Sequence, residues 1–170
     1  FSLAEAGFSL QFCVMKSLEY PLMATSLSKT QCNKIMKPIR AAALPALGIN
    51  RHLNLFVVHG PQCYQGVGIP DLWTVQGILK IWLALQHGDA PTITGHQLQA
   101  SMELHTIELG LPGQLLRQDF EIYGKPATMS WFRRFWEFCA DSNLQIQSTM
   151  PELGPPSDGD HFMLSKIATF

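Results

Sequence analysis

A mainly α chain, with at most one short strand, is what the sequence predicts, and three observations carry it. Ser28 and Thr94 each stand three residues ahead of a glutamine, Gln31 and Gln97, the spacing of a capping box that opens a helix. Trp131, Phe132, Phe135, Trp136 and Cys139 recur along one face of a helix over 129–141. The one strand-prone run, LNLFVV at 53–58, is short enough to be either a strand or an extended link. The elements group into a helical unit at 1–75 and a second at 76–147. Residues 148–170 read as a linker followed by the start of a further segment.

The first element spans part of 2–18, where Leu3, Phe8, Leu10, Phe12, Val14, Met15 and Leu18 fit helical spacing in places and Gly7 weakens it. Pro21 is expected to break it. A second helix runs from Ser28 towards Leu47, with Pro38 and Pro45 expected to kink or divide it and Gly48 placed to close it. A turn-rich passage with Gly60, Pro61, Gly66, Gly68 and Pro70 follows. Asp71 caps a helix over 72–86 that ends near Gly88. The helix opened by Thr94 is closed by Gly110, and a short helix covers 113–120. STMPELGPPSDGD at 148–160 is the linker, and 161–170 begins another helix.

Composition narrows the function classes. With 46% hydrophobic and 15% charged residues in a chain of 170, disorder is excluded for most of its length. The opening at Phe1 and the apolar closing phrase suggest an internal piece of a larger protein. Four widely spaced cysteines without a CxxC pair, and no signal peptide or spanning run, suggest an intracellular setting, cytoplasmic or nuclear. A net charge of −1 argues against a freestanding nucleic-acid binder. The distribution is uneven, however. Residues 1–60 hold six basic and two acidic residues, and 61–170 hold six basic and eleven acidic, which places a basic contact face in the first part.

No complete catalytic site is visible. The glycines from 60 to 68 lack the spacing of a phosphate loop, and no Lys-Ser or Lys-Thr follows them. His52, His59 and Cys63 lack a fourth zinc ligand at a usual spacing. Cys63 with His59 as a nucleophilic pair has no context that would activate the thiol. Glu103, Glu108, Asp119 and Glu121 read as carboxylates of solvated helix faces. The aromatic row of 129–141 can be core or a stacking platform, and its helical spacing favours core. The basic set is more specific. Lys34, Lys37 and Arg40 follow at intervals of three and so can share one helix face, with Pro38 inside the run and Lys29 and Arg51 nearby. Such a ridge suits phosphates, although spacing alone fits a merely solvated face.

Three phrases carry a resemblance: KSLEYPLMATSLSKTQCNKIMKPI (16–39), AALPALGINRHLNLFVVHGP (42–61) and YQGVGIPDLWTVQG (64–77). Together they resemble the region just after the polymerase palm in reverse transcriptases of non-LTR (LINE-type) retrotransposons. The third is similar to a Gly-Gly-Leu-Gly-Ile/Leu-Pro-Asp-Leu signature, from which Gln65 and Val67 depart. TGHQLQASMELHTIELGLPG (94–113) and the Trp-rich helix resemble the post-thumb region of such elements. The resemblance implies a thumb-like unit at 1–75 that grips a template–primer duplex, RNA–DNA or RNA, beside the palm of the same polypeptide. Lys34, Lys37 and Arg40 would lead the phosphate contacts, with Lys29 and Arg51 behind, while Gly66, Gly68 and Pro70 shape the turn. It implies no cofactor here, because Mg2+ belongs to the palm with its Ala-Asp-Asp turn, which this chain lacks. The alternative is a helical protein–protein interaction module without a nucleic-acid role.

Overall fold

The computed structural model describes residues 2–88, 90–111 and 115–146. The expected linker at 148–160, the helix start at 161–170 and the first residues of the short helix at 113–120 lie outside them. The fold is mainly α, and among the described residues there is no strand. The chain divides into two compact units, residues 1–79 and 80–170.

In the first unit, α1 (Leu3–Phe8) is opened by a capping box that the sequence reading passed over. Ser2 Oγ accepts from the Glu5 amide at 3.3 Å, and Glu5 accepts from the Ser2 amide at 2.7 Å. The chain then runs through a π-helical segment, Ser9–Met15, straight into α2 (Lys16–Ala24). Neither Gly7 nor Pro21 interrupts it. The i→i+5 bonding of the π segment stacks residues five apart, so Leu10 and Met15 are both buried there. Pro21 lies in the last turns of α2, and the Thr25 amide closes the helix on its carbonyl at 3.1 Å.

The helix α3 (Lys29–Ala46) opens on the expected Ser28–Gln31 capping box. Pro38 and Pro45 do not divide it. Each removes one backbone donor, and the residues left without it, Lys34 and Ala41, are exposed. The opposite face buries Cys32, Met36 and Leu44. Gly48, at φ +68°, closes the helix with Gly48 N donating to Pro45 O at 2.9 Å and Ile49 N to Leu44 O at 2.8 Å.

The run at 53–58 is neither strand nor extended link. Asn54 Oδ1 accepts from the Phe56 amide at 2.9 Å and starts a short helix, α4 (Leu55–His59), in which Val58 alone is buried. A strand would have needed a partner strand, and there is none among the described residues. Next, α5 (Leu72–His87) begins on Asp71, whose carboxylate accepts from the Thr74 amide at 3.2 Å. Buried Gln76 fixes the link between α2 and α3. Its amide donates to Leu27 O at 3.0 Å and accepts from Leu27 N and Thr25 Oγ1, each at 3.3 Å.

In the second unit α6 (Ile93–Leu109) starts one residue ahead of Thr94. Thr92 is its cap, accepting from Gly95 N at 3.1 Å. Gly95 decides this. A Cβ there would lie 2.3 Å from Ala90 O and 2.4 Å from His87 O, so the first turn packs directly on backbone. Gly110, at φ +63°, ends α6 as expected. The short helix expected at 113–120 is instead a 3-10 turn, Leu115–Arg117, and a π turn, Phe120–Gly124. Then comes α7 (Trp131–Asp141).

The core joins Met102, Leu111 and Leu115 to Phe120, Phe132, Phe135, Trp136 and Cys139. Phe120 meets Trp136 edge-on at 5.2 Å between ring centroids, and Phe132 meets Phe135 edge-on at 5.6 Å. Lys80 is fully buried, with its ammonium 5.0 Å from the Trp131 ring centroid and 3.4 Å from Trp131 O.

Trp136 is 2% exposed, so its replacement by alanine should cost about 3–5 kcal/mol in urea unfolding. A neutral result would mean that the aromatic row is a surface platform.

Candidate functional site

The basic ridge starts from helix geometry. Positions three apart on an α-helix fall back by roughly 60° per step, so a row of them slants across the surface. Lys34 and Lys37 are exposed, whereas Arg40 has slanted towards the packed side and is half-buried. Its Nη1 lies 3.5 Å from His59 Nε2, and His59 Nδ1 lies 2.8 Å from Ile69 O. The carbonyl can only accept, so Nδ1 carries the hydrogen, and in the neutral ring Nε2 accepts from Arg40. The three residues therefore do not share one solvent face: two lysines face out, and the arginine lies against His59 at the end of α4. Lys29, at the start of α3, and Arg51, in the turn after it, are exposed.

With both ring nitrogens engaged, His59 has no lone pair left for Cys63, which is exposed. His52 is exposed too, and among the described residues no three His, Cys, Asp or Glu side chains are grouped to hold a metal. Burial pushes the Cys139 thiol up to about 12, which leaves it protonated and inert at neutral pH.

The glycine turn closes the chain on itself. Val67 N donates to Val57 O at 2.9 Å, Gly68 N to Gly60 O at 2.9 Å, and Ile69 N to Val58 O at 3.1 Å. A Cβ on Gly66 would lie 2.0 Å from Gly60 O, and Gly68 has φ +76°. Gln65, where the signature has glycine, stands at φ +63°, in the left-handed region. Pro70 ends the turn ahead of Asp71, so buried Ile69 and Leu72 flank the cap of α5. The adjoining cleft, of about 220 Å3, is lined by Leu10, Met15, Leu47, Ile49 and Ile69 among others, none of them ionisable.

A second constellation has no counterpart in the sequence reading. His105 and Glu108 lie three apart on α6 and so share a face. His105 Nδ1 is 2.9 Å from Glu108 Oε2, and its Nε2 is 2.6 Å from the Oγ of Ser130, the N-cap of α7. The other Glu108 oxygen accepts from Thr128 N at 3.0 Å and from the Thr128 hydroxyl. Glu108 is therefore not an unpaired surface carboxylate. Its partners were hidden because Ser130 and Thr128 stand 25 and 20 residues from theirs in sequence. Only the His–Glu interval of three was a legible signal.

Two outcomes test these geometries. A non-glycine residue in the left-handed region is strained by about 1–2 kcal/mol, offset in part by the extra unfolded-state freedom of glycine. Gln65→Gly should therefore stabilise the chain by about 0.5–1 kcal/mol in denaturant melts. The Thr128 hydroxyl and His105 hold the Glu108 carboxyl below its ordinary value of 4.5. Its folded-state value is depressed, so the stability it gives is present above the ordinary value and is lost as pH falls through the folded one. Glu108→Gln should flatten the acid limb of a melting-temperature profile below about pH 4.5 and an unchanged limb would refute the assignment. No protein-family model matches the chain, and no curated protein or solved structure does.

Proposed function

We propose that this chain is the part of a non-LTR retrotransposon reverse transcriptase that follows the palm, and that its first unit supports binding of a template–primer duplex. The observation that carries the reading is the turn at 65–70. The signature it resembles calls for glycine at 65, 66 and 68. Those are the positions where the backbone is left-handed or where a Cβ would collide with Gly60. This chain keeps the glycine at two of the three, Gly66 and Gly68, so the sequence likeness falls on physically demanding positions there, while Gln65 departs.

Lys34 and Lys37 lead the phosphate contacts. An RNA–DNA hybrid is held largely through backbone and shape, so lysines on one exposed helix face suffice. Arg40 contributes with the guanidinium hydrogens that His59 does not take, and Lys29 and Arg51 flank the face. The chain itself extends no primer, since the carboxylates that bind Mg2+ belong to the palm. An interaction module without a nucleic-acid role is the second reading, favoured by the exposed apolar side chains of Leu55, Phe56 and Val57 in α4 and of Tyr64.

Fluorescence anisotropy with a labelled RNA–DNA hybrid, over a salt series starting low, separates the two. Binding should be weak and independent of sequence. Each lost phosphate contact lowers the salt slope by about 0.9 on B-DNA, and the hybrid, also a duplex of two phosphate strands, is taken at the same value. The triple change Lys34→Gln, Lys37→Gln and Arg40→Gln should therefore flatten the slope by about two to three units. Equal binding of wild type and variant would move the interaction module ahead.

A further inference from the structure

A serine hydroxyl is a poor nucleophile until a base takes its proton, and an imidazole serves only if its Nε2 lone pair faces the hydroxyl. That requires the ring hydrogen on Nδ1 and an acceptor to hold it there. In the second unit the contacts of His105 meet each condition in turn. Glu108 Oε2 only accepts, so at 2.9 Å it takes the Nδ1 hydrogen. Nε2 of the neutral ring then accepts, and at 2.6 Å the Ser130 hydroxyl donates to it. Thr128, from its amide and its hydroxyl, fixes the far oxygen of Glu108.

We propose that Ser130, His105 and Glu108 form a serine-nucleophile site that accepts acyl and phosphonyl groups from small activated esters. Ser130 is the nucleophile, His105 the general base and Glu108 a positioning residue. The Ser130 oxygen accepts from Arg133 N at 3.0 Å with one lone pair and keeps the other for attack. His105 is 4% exposed, while Ser130 is half-buried and Thr128 and Met129 beside it are exposed. An incoming ester therefore meets the hydroxyl before the imidazole. At the start of α7 the first-turn amides carry partial positive charge, which favours a developing oxyanion.

In the reaction Ser130 Oγ bonds to the ester carbonyl carbon, and its proton passes to Nε2 as the carbonyl pair moves onto oxygen. Collapse expels the leaving alkoxide or phenoxide, which takes the proton from Nε2. Water, giving a proton to Nε2, then attacks the acyl-serine, and its collapse frees the carboxylic acid and returns the proton to Oγ. With a fluorophosphonate the Oγ–P bond forms, fluoride departs with its electron pair, and the serine proton goes to Nε2. Glu108 holds the tautomer throughout, and the downward shift of its carboxyl keeps it ionised.

The test treats the full chain with a biotinylated fluorophosphonate and follows the adduct by intact mass and peptide mapping. Ser130 should label at least about a hundredfold faster than exposed Ser142, the smallest gain ascribed to a positioned base. His105→Gln should remove that advantage. If that variant does not fold, labelling of the wild-type chain in urea replaces it and should fall to the Ser142 rate. p-Nitrophenyl acetate should give a burst of nitrophenolate equal to the adduct count. A far-downfield Nδ1 proton resonance should be present in the wild type and absent from Glu108→Gln, with labelling slowed. Labelling at Ser130 no faster than at Ser142, or equally fast in His105→Gln or in urea, overturns the site. A Glu108→Gln chain that labels at the wild-type rate overturns the positioning role.

Discussion

A chain whose described part has no sheet must satisfy its backbone at helix ends, and this constraint shapes both units. Side-chain oxygens of Ser2, Ser28, Asn54, Asp71, Thr92 and Ser130 accept from first-turn amides. At the C-terminal ends of α3, α6 and α7 one device recurs. A residue at positive φ, Gly48, Gly110 or Asn143, lets the next amide reach back to a carbonyl in the last turn. Leu111, placed by the second of these, is 1% exposed, so closing α6 also delivers a core residue. Removing a cap here disturbs packing as well as the helix end.

Buried polar groups fix what apolar packing leaves loose. In the first unit Gln76 holds both backbone groups of Leu27, which sets where α3 starts. In the second, His105 ties α6 to the serine that opens α7. An apolar side chain at either place would pack without specifying register, whereas a hydrogen-bonded one leaves an unsatisfied group if the register slips.

Local rules made much of this legible in the sequence. The Ser28–Gln31 box, the Asp71 cap, Gly48, Gly110 and the aromatic face of α7 all depend on residues within one or two turns. The failures share the opposite property. Of the two outcomes read for Pro38 and Pro45, a kink or a division, the division is absent, and sequence does not show that Lys34 and Ala41, the residues whose carbonyls they orphan, are exposed. LNLFVV has strand composition, but composition does not reveal that the described residues hold no strand to pair with it. Thr94 looked like a cap because the close approach of Gly95 to His87 and Ala90 is a matter of packing. Arg40 left the solvent face because of His59, 19 residues away. The Ser130–His105–Glu108 relay needs two helices brought together, which no spacing rule reports.

The π segment between α1 and α2 has a consequence for how the chain tolerates insertions and deletions. A π turn holds one residue more than the α turn it replaces, so Ser9–Met15 works as a spare link. Losing a residue there lets the segment tighten to α pitch while Leu3–Phe8 and Lys16–Ala24 keep their faces. The same loss between Cys32 and Met36 would turn everything beyond it by roughly 100° and carry Leu44 away from the core. Length variants of this chain should therefore collect in Ser9–Met15 and be purged from α3.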